Sequence, residues 1–223
     1  MPKASDKLLR KAVERGSVEE IVAAVRGGAN VNARDDGGET ALTCATSADL
    51  GPESAAACIR CLIELGARVA EERPRGGLGT SVHRAAAYGY TEALKALLSA
   101  DGKGALNLFD DVSRTPLICA VENVHFTEAA ILLEAGADVD AHDAEKIGNT
   151  ALIKAVQSRN LRMVRLLLKH GADPTIPGWM QRTALDRARE WASGYAPLEL
   201  KEIFRLLDEE AKRRKRVPPE KRS

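Results

Sequence analysis

Apolar residues recur along this 223-residue chain in two alternating patterns, both at helical spacing. The first is short and opens on a threonine: ETALTCA (39–45), GTSVHRA (79–85), RTPLICA (114–120), NTALIKA (149–155) and RTALDRA (182–188). The second is longer and carries a wider apolar stripe. In NLRMVRLLLKHG (160–171) that stripe is Leu161, Met163, Val164, Leu166, Leu167 and Leu168. Apolar residues three and four positions apart share one face of a helix. The pattern predicts pairs of helices, one short and one longer, repeated along the chain and joined by short loops.

The threonines Thr40, Thr80, Thr115, Thr150 and Thr183 follow one another at intervals of 40, 35, 35 and 33 residues. A second cassette interleaves with them: GANVNA (28–33), GARVAE (66–71), GADVDA (136–141) and GADPTI (171–176), with Asp101-Gly102 standing in for a fifth copy. The step from Thr115 to Gly136 is 21 residues, and so is the step from Thr150 to Gly171. A fixed period of this kind marks a repeat architecture. The local chemistry agrees. A threonine before a helix accepts a hydrogen bond from one of its free amides. Pro116, directly after Thr115, sits where a missing N–H costs nothing. Gly66, Gly136 and Gly171 end the second helices through a left-handed residue, and Lys169 and His170 stand at the negative end of their helix.

These cassettes resemble the ankyrin-repeat family, in the Thr-Pro-Leu-His-like turn, the mid-repeat glycine and the Gly-Ala-Asp-Val-Asn-like loop. The resemblance implies an all-α repeat solenoid of stacked antiparallel helix pairs with hairpin-like loops projecting from one side. It implies no catalytic chemistry and no cofactor. The expected units are 5–34, 35–74, 75–109, 110–144, 145–177 and 178–211, with a basic, disordered tail at 212–223. The first unit lacks the threonine cassette and carries Lys7, Arg10, Lys11, Glu14 and Arg15, so it reads as an N-terminal cap. The last carries Leu200, Ile203, Phe204 and Leu207 ahead of a charged run, as a C-terminal cap with a polar outer face requires. Several positions depart from the family pattern. Its histidine survives only as His83; Thr43, Ile118, Ile153 and Asp186 replace it, which predicts a thin hydrogen-bond network between units. The mid-repeat glycine is Gly16 and Gly89 in two units but Val124 and Arg159 in two others, which puts the local geometry of those turns in question.

Composition narrows the function. Apolar residues are 44% of the chain, enough for a core, while aromatics are only 4%. No apolar leader follows Met1 and no run is long enough to span a membrane, so a cytoplasmic location is expected, or a nuclear one in a eukaryotic source. The net charge of +1 is unevenly spread: residues 211–223 hold seven Lys/Arg and one Glu, and the other 210 residues hold 26 Lys/Arg against 31 Asp/Glu. An acidic body makes nucleic acid an unlikely partner except through the tail. Cys58 and Cys61 form a CxxC, but both fall on the apolar stripe of AACIRCLIELG. They read as buried thiols, with metal or redox use as the alternative. His83, His125, His142 and His170 have no partner at ligand spacing, and no metal site is expected. The glycine-rich RGGLGTS (75–81) lacks the lysine of a phosphate loop. No nucleophile–base arrangement can be drawn, so an enzyme is not expected.

What remains is a binding surface. In the architecture that the resemblance implies, loop tips and first-helix ends line a concave groove, and repeat proteins bind partners along such surfaces. Eight residues after each threonine stand Ala48, Tyr88, Asn123, Ser158 and Trp191, with Glu122 and Gln157 beside them. The tips supply Asp36, Gly76-Gly77, Asp111-Val112, Lys146-Ile147 and Trp179-Met180. The candidate protein-binding residues are Tyr88, Asp111, Val112, Glu122, Asn123, Lys146, Ile147, Gln157, Trp179, Met180 and Trp191. The only two tryptophans of the chain, Trp179 and Trp191, both fall on this set. The competing reading has Trp191 covering the SGYAP insert and Trp179 packing on the neighbouring tip. The sequence thus predicts a monomeric protein-interaction module that scaffolds or inhibits one protein partner. The alternative is a regulator whose basic tail engages nucleic acid while the repeats hold a protein.

Overall fold

Each cassette threonine stands at the start of a short helix. The side-chain oxygens of Thr40, Thr115, Thr150 and Thr183 accept from the amide three residues on, at 3.0–3.3 Å. The computed structural model describes residues 3–46, 49–69, 79–143, 148–192 and 196–216. Among these residues there are twelve α-helices, two short 3₁₀ turns and no strand. They divide into two units, residues 1–137 and 138–223.

The first unit holds α1 (Ala4–Glu14), α2 (Val18–Arg26), α3 (Ala41–Ala45), α4 (Pro52–Glu64), α5 (Ser81–Tyr88), α6 (Thr91–Ser99), α7 (Pro116–Glu122) and α8 (Phe126–Glu134). The first helices of the pairs stack on one another, α1 on α3, α3 on α5 and α5 on α7; the second helices stack likewise, α2 on α4, α4 on α6 and α6 on α8. The second unit holds α9 (Ala151–Gln157), α10 (Leu161–Lys169), α11 (Ala184–Trp191) and α12 (Leu198–Arg216), with α9 on α11 and α10 on α12.

Two registers build this stacking. Two residues after the threonine, Leu42, Val82, Leu117 and Leu152 are at most 1% exposed. Five residues after it stand Ala45, Ala85, Ala120, Ala155 and Ala188, and the first four have no exposed surface at all. A methyl group there lets neighbouring helices approach closely, which is why a core with so few aromatics closes. Each enclosed leucine contributes about 1.5–3 kcal/mol of burial.

The loops are tied by side chains that reach across one unit. The Asn32 amide accepts from Arg68 N–H (2.9 Å) and donates to Gly66 O (3.0 Å). Asp101 accepts from Val69 N–H, and Asp140 from Asp173 N–H, each at 2.9 Å. Burial raises the Asp140 pKa, with the Asp173 amide opposing it.

Four turns between paired helices share one geometry whatever residue fills them. Gly16 and Gly89 have φ of 69° and 71°; Val124 and Arg159 have 62° and 55°. The geometry questioned from the sequence is therefore the same in all four, and two units carry a left-handed residue with a side chain. Gly89 is not replaceable in this way, because a Cβ there would meet the His125 ring at 2.6 Å.

The expected tail at 212–223 needs correction at its near end. Helix α12 runs on to Arg216, through the first five residues of that segment. Arg214 explains the extension: it pairs with Asp173 (3.2 Å) and Glu210 (3.0 Å) and donates to Gly171 O, just past the end of α10. A guanidinium at that carbonyl meets an acceptor that the helix leaves unpaired.

Candidate functional site

The tip before α11 is tightly constrained. Gly178 N–H donates to Arg182 O (3.0 Å) and Gln181 N–H to Gly178 O (3.0 Å), which closes a tight loop. Trp179 N–H donates to Asn149 Oδ1 at 3.1 Å, which fixes the loop to the preceding one. A Cβ on Gly178 would meet Asn149 Oδ1 at 2.5 Å and Ile153 Cδ1 at 2.6 Å, so only glycine fits. Met180 and Gln181 both sit in the left-handed region, at φ 60° and 58°. That costs roughly 1–2 kcal/mol per residue without a compensating contact. The loop holds Trp179 and Met180 in solvent, 57% and 67% exposed.

Trp191 differs from the sequence expectation. It is half-buried rather than open, and the Arg159 guanidinium lies over its ring. Residues 193–195 of the insert that the competing reading has it cover lie outside the described residues.

In the first unit the corresponding positions are Tyr88, at the end of α5, and Val112, 60% exposed at its tip beside exposed Asp111. The Tyr88 ring rests against Tyr90 with centroids 5.8 Å apart. Asn123 and Ser158 are exposed, yet their side chains bond back to their own helices: Asn123 Nδ2 to Cys119 O at 2.9 Å and Ser158 Oγ to Ala155 O at 3.1 Å. Glu122 is half-buried and pairs with Arg114 (3.4 Å), which also holds buried Asp110 (2.8 Å). Gln157 is half-buried. Lys146, Ile147, Ala48 and the Gly76-Gly77 tip lie outside the described residues.

Several features escaped the residue pattern. A chain of charges links α1 to α5: Arg10 meets Asp35 and Glu39 (3.1 Å), and Glu39 meets the buried Arg84, which donates to Thr43 O at 3.1 Å. The signal for it is the charged residue directly before Thr40. The Arg159–Trp191 stack was also missed; its signal is the side chain standing where two other units have glycine.

The polar residues of the core do structural work. Thr80 N–H donates to His83 Nδ1 (3.2 Å), and the opposite nitrogen, which must carry the proton, reaches Leu108 O (3.0 Å) and Arg114 O (3.1 Å). Burial lowers the His83 pKa. In place of that histidine, Thr43 and Asp186 close capping boxes with Thr40 and Thr183. The four cysteines are buried and unpaired. Burial raises all four thiol pKa values, Cys44 to about 11 and Cys119 to about 12. They are protonated at neutral pH, and a protonated thiol is a poor nucleophile and metal ligand. Among the described residues no three His, Cys, Asp or Glu side chains are grouped to hold a metal ion. No described helix is long and apolar enough to cross a membrane.

The family model for ankyrin repeats (3 copies) matches residues 56–143 and 82–178, together more than half of the chain. This chain belongs to the ankyrin-repeat family. Among curated proteins it is 36% identical over 111 residues to the B-cell lymphoma 3 protein homolog of Mus musculus, covering 49% of this chain and 25% of that protein. The first curated relatives it matches are much longer, and the matches span 5–25% of their lengths. Among solved structures, the ankyrin repeat domain of Bcl-3, a member of the IkappaB protein family, is similar at TM-score 0.74 and 27% identity, covering 91% of this chain and 85% of that one. An ankyrin repeat domain from Acinetobacter baumannii AYE is similar at TM-score 0.75 and 28% identity, covering 91% and 96%. Ankyrin repeats are protein–protein interaction modules, generally without catalytic activity.

Proposed function

We propose that this ankyrin-repeat chain binds one protein partner through its loop tips and first-helix ends, and scaffolds or inhibits that partner without catalysing a reaction. One observation carries the reading. Tyr88, Val112, Trp179 and Met180 are four of the seven large apolar residues exposed among the described residues, and each lies at a tip or a first-helix end. Exposed aromatic residues of this kind dominate interface energies, at about 2 kcal/mol or more for a hot spot. A monomer in the cytoplasm, with the nucleus as the alternative in a eukaryotic source, is part of the same proposal. The test is capture of a partner by the wild-type chain and by a Trp179→Ala/Trp191→Ala variant. Retention of the same partner by both would end the reading.

A second reading has its own observation. Arg214 is anchored, while its neighbours Lys212, Arg213, Lys215 and Arg216 face solvent on α12. These four supply the cations for a nucleic-acid contact. Replacing them with glutamine while keeping Arg214 separates the two readings. Nucleic-acid binding through them falls steeply with salt and disappears in the variant, whereas protein binding through the tips persists in the variant.

A further inference from the structure

The positive excess of the second unit lies in its basic terminal segment: residues 138–210 hold 11 Lys/Arg against 12 Asp/Glu. Within that balanced body, one register leaves a cation without its acid. Four residues after the cassette threonines stand Cys44, Arg84, Cys119, Lys154 and Arg187. In the first unit the charge of Arg84 is met by Glu39, the residue directly before Thr40. In the second unit the residue directly before Thr150 is Asn149, which is neutral and already accepts from Trp179 N–H. Arg187 has no carboxylate where Arg84 finds one. Its Nε, like that of Arg84, is buried without a hydrogen-bond partner, but unlike Arg84 its side chain makes no ion pair with a described residue.

Around Arg187 the cations outnumber the acids. Arg182 precedes α11 and is exposed, and Arg159 ends the turn after α9, over the Trp191 ring. Lys154 holds the Arg187 register on α9, which packs against α11. The acids nearby are engaged: Asp186 with Thr183 (2.7 Å) and Glu190 with Arg182. At the margin stand Trp179 and Met180, open to solvent on a loop whose backbone is held in a costly conformation.

We propose that this α9–α11 face takes an extended acidic peptide segment with one large apolar side chain. The apolar side chain covers Trp179 and Met180, and the carboxylates meet Arg187, Arg182 and Arg159. The proposal rests on the reading of the tips as a protein-binding surface and adds the chemistry of the partner. Guanidinium–carboxylate hydrogen bonds are among the strongest available at a partly desolvated surface. A carboxylate is what the half-buried Arg187 lacks. Single-stranded nucleic acid is the weaker fit: it needs a track of cations with stacking rings beside them, and Met180 is no stacking platform.

The test pans a display library of random short peptides on the full chain, with the Trp179→Ala/Trp191→Ala variant as counter-target. Peptides retained by the wild type alone are expected to be rich in Asp and Glu around one large apolar residue. A synthetic peptide of that class should bind at least about tenfold more weakly to Arg187→Gln, a difference of ~1.4 kcal/mol. Arg187→Lys should recover part of the loss, and the matched Asn/Gln peptide should bind as weakly as the variant. Melting temperatures confirm that both Arg187 variants are folded. Enrichment of neutral or basic peptides that still depend on the tryptophans overturns the acidic chemistry and leaves the tip reading standing. Tighter binding of oligo-dT than of any selected peptide overturns it in favour of nucleic acid. No peptide preferring the wild type over the variant overturns both.

Discussion

The Arg159 guanidinium lies 5.5 Å from the centroid of the Trp191 ring, so the second tryptophan of the chain is partly covered by a residue of the preceding turn. Trp179 has no such cover. The two tryptophans therefore differ in what their removal does. Trp179→Ala should leave stability within about 0.5 kcal/mol, as surface substitutions do. Trp191→Ala should cost on the order of 1 kcal/mol, from the lost cation–π contact and half-buried ring. With only two indoles in the chain, each single variant reports the emission of the other. The Trp191→Ala protein, which retains Trp179, should emit further to the red. Equal emission maxima would contradict the placement.

Val124 offers a test of turn strain. A β-branched residue at φ 62° is unfavourable, and Val124 is 53% exposed, so little packing is lost with it. Val124→Gly should stabilise the protein by about 0.5–1 kcal/mol after allowance for the entropy of glycine. Arg159→Gly relieves the same backbone but removes the stack on Trp191, so it should be close to neutral. Urea midpoints of the two variants check both, and the order Val124→Gly above Arg159→Gly is the decisive result.

His83 sets a pH dependence. Its pKa in the folded protein lies below the ordinary value of 6.5, because burial disfavours the charged ring by more than Asp110 and the Leu108 and Arg114 carbonyls favour it. Below pH 6.5 the unfolded chain binds a proton that the folded chain resists. Stability from this group is thus complete above 6.5 and is lost as the pH falls toward the folded pKa, with a slope of at most about 1.4 kcal/mol per pH unit. His83→Asn should be less stable at pH 7.5 and should lose this contribution to the slope. An unchanged slope in the variant assigns the acid sensitivity to other groups.

Arg213 and Arg214 are neighbours with opposite expected effects. Arg213 is exposed and pairs only with Glu210, one turn back, so Arg213→Ala should change stability by less than about 0.5 kcal/mol. Arg214 binds Asp173 and Gly171 O from a half-buried position, and Arg214→Ala should cost about 1.5–3 kcal/mol as a charged hydrogen bond is lost. Hydrogen exchange should show the amides of 208–216 losing protection in the second variant alone.

The sequence carried the helix pairs and their order because they rest on local signals: a threonine cap, an alanine five residues on, a glycine at the end. The exposure of Trp179, Met180, Val112 and Tyr88 was legible for the same reason, since a fixed period assigns each residue a place. What it did not carry were pairings between periods. Arg10, Glu39 and Arg84 are 29 and 45 residues apart, and nothing local says that they meet. The helix through 212–216 was hidden likewise, because the residue that fixes it, Arg214, finds its partners 41 and 43 residues away.

The alanines at the enclosed register have an evolutionary consequence. Where two cassette helices stack, α3 on α5, α5 on α7 and α9 on α11, each brings an enclosed methyl group at the same register, so the joint between these repeats is built alike. A duplicated repeat arrives with a matching joint at both ends. A deleted one leaves two ends that fit each other. The length of such a chain can change by whole repeats in a single genetic event while the tips that face a partner diverge one residue at a time.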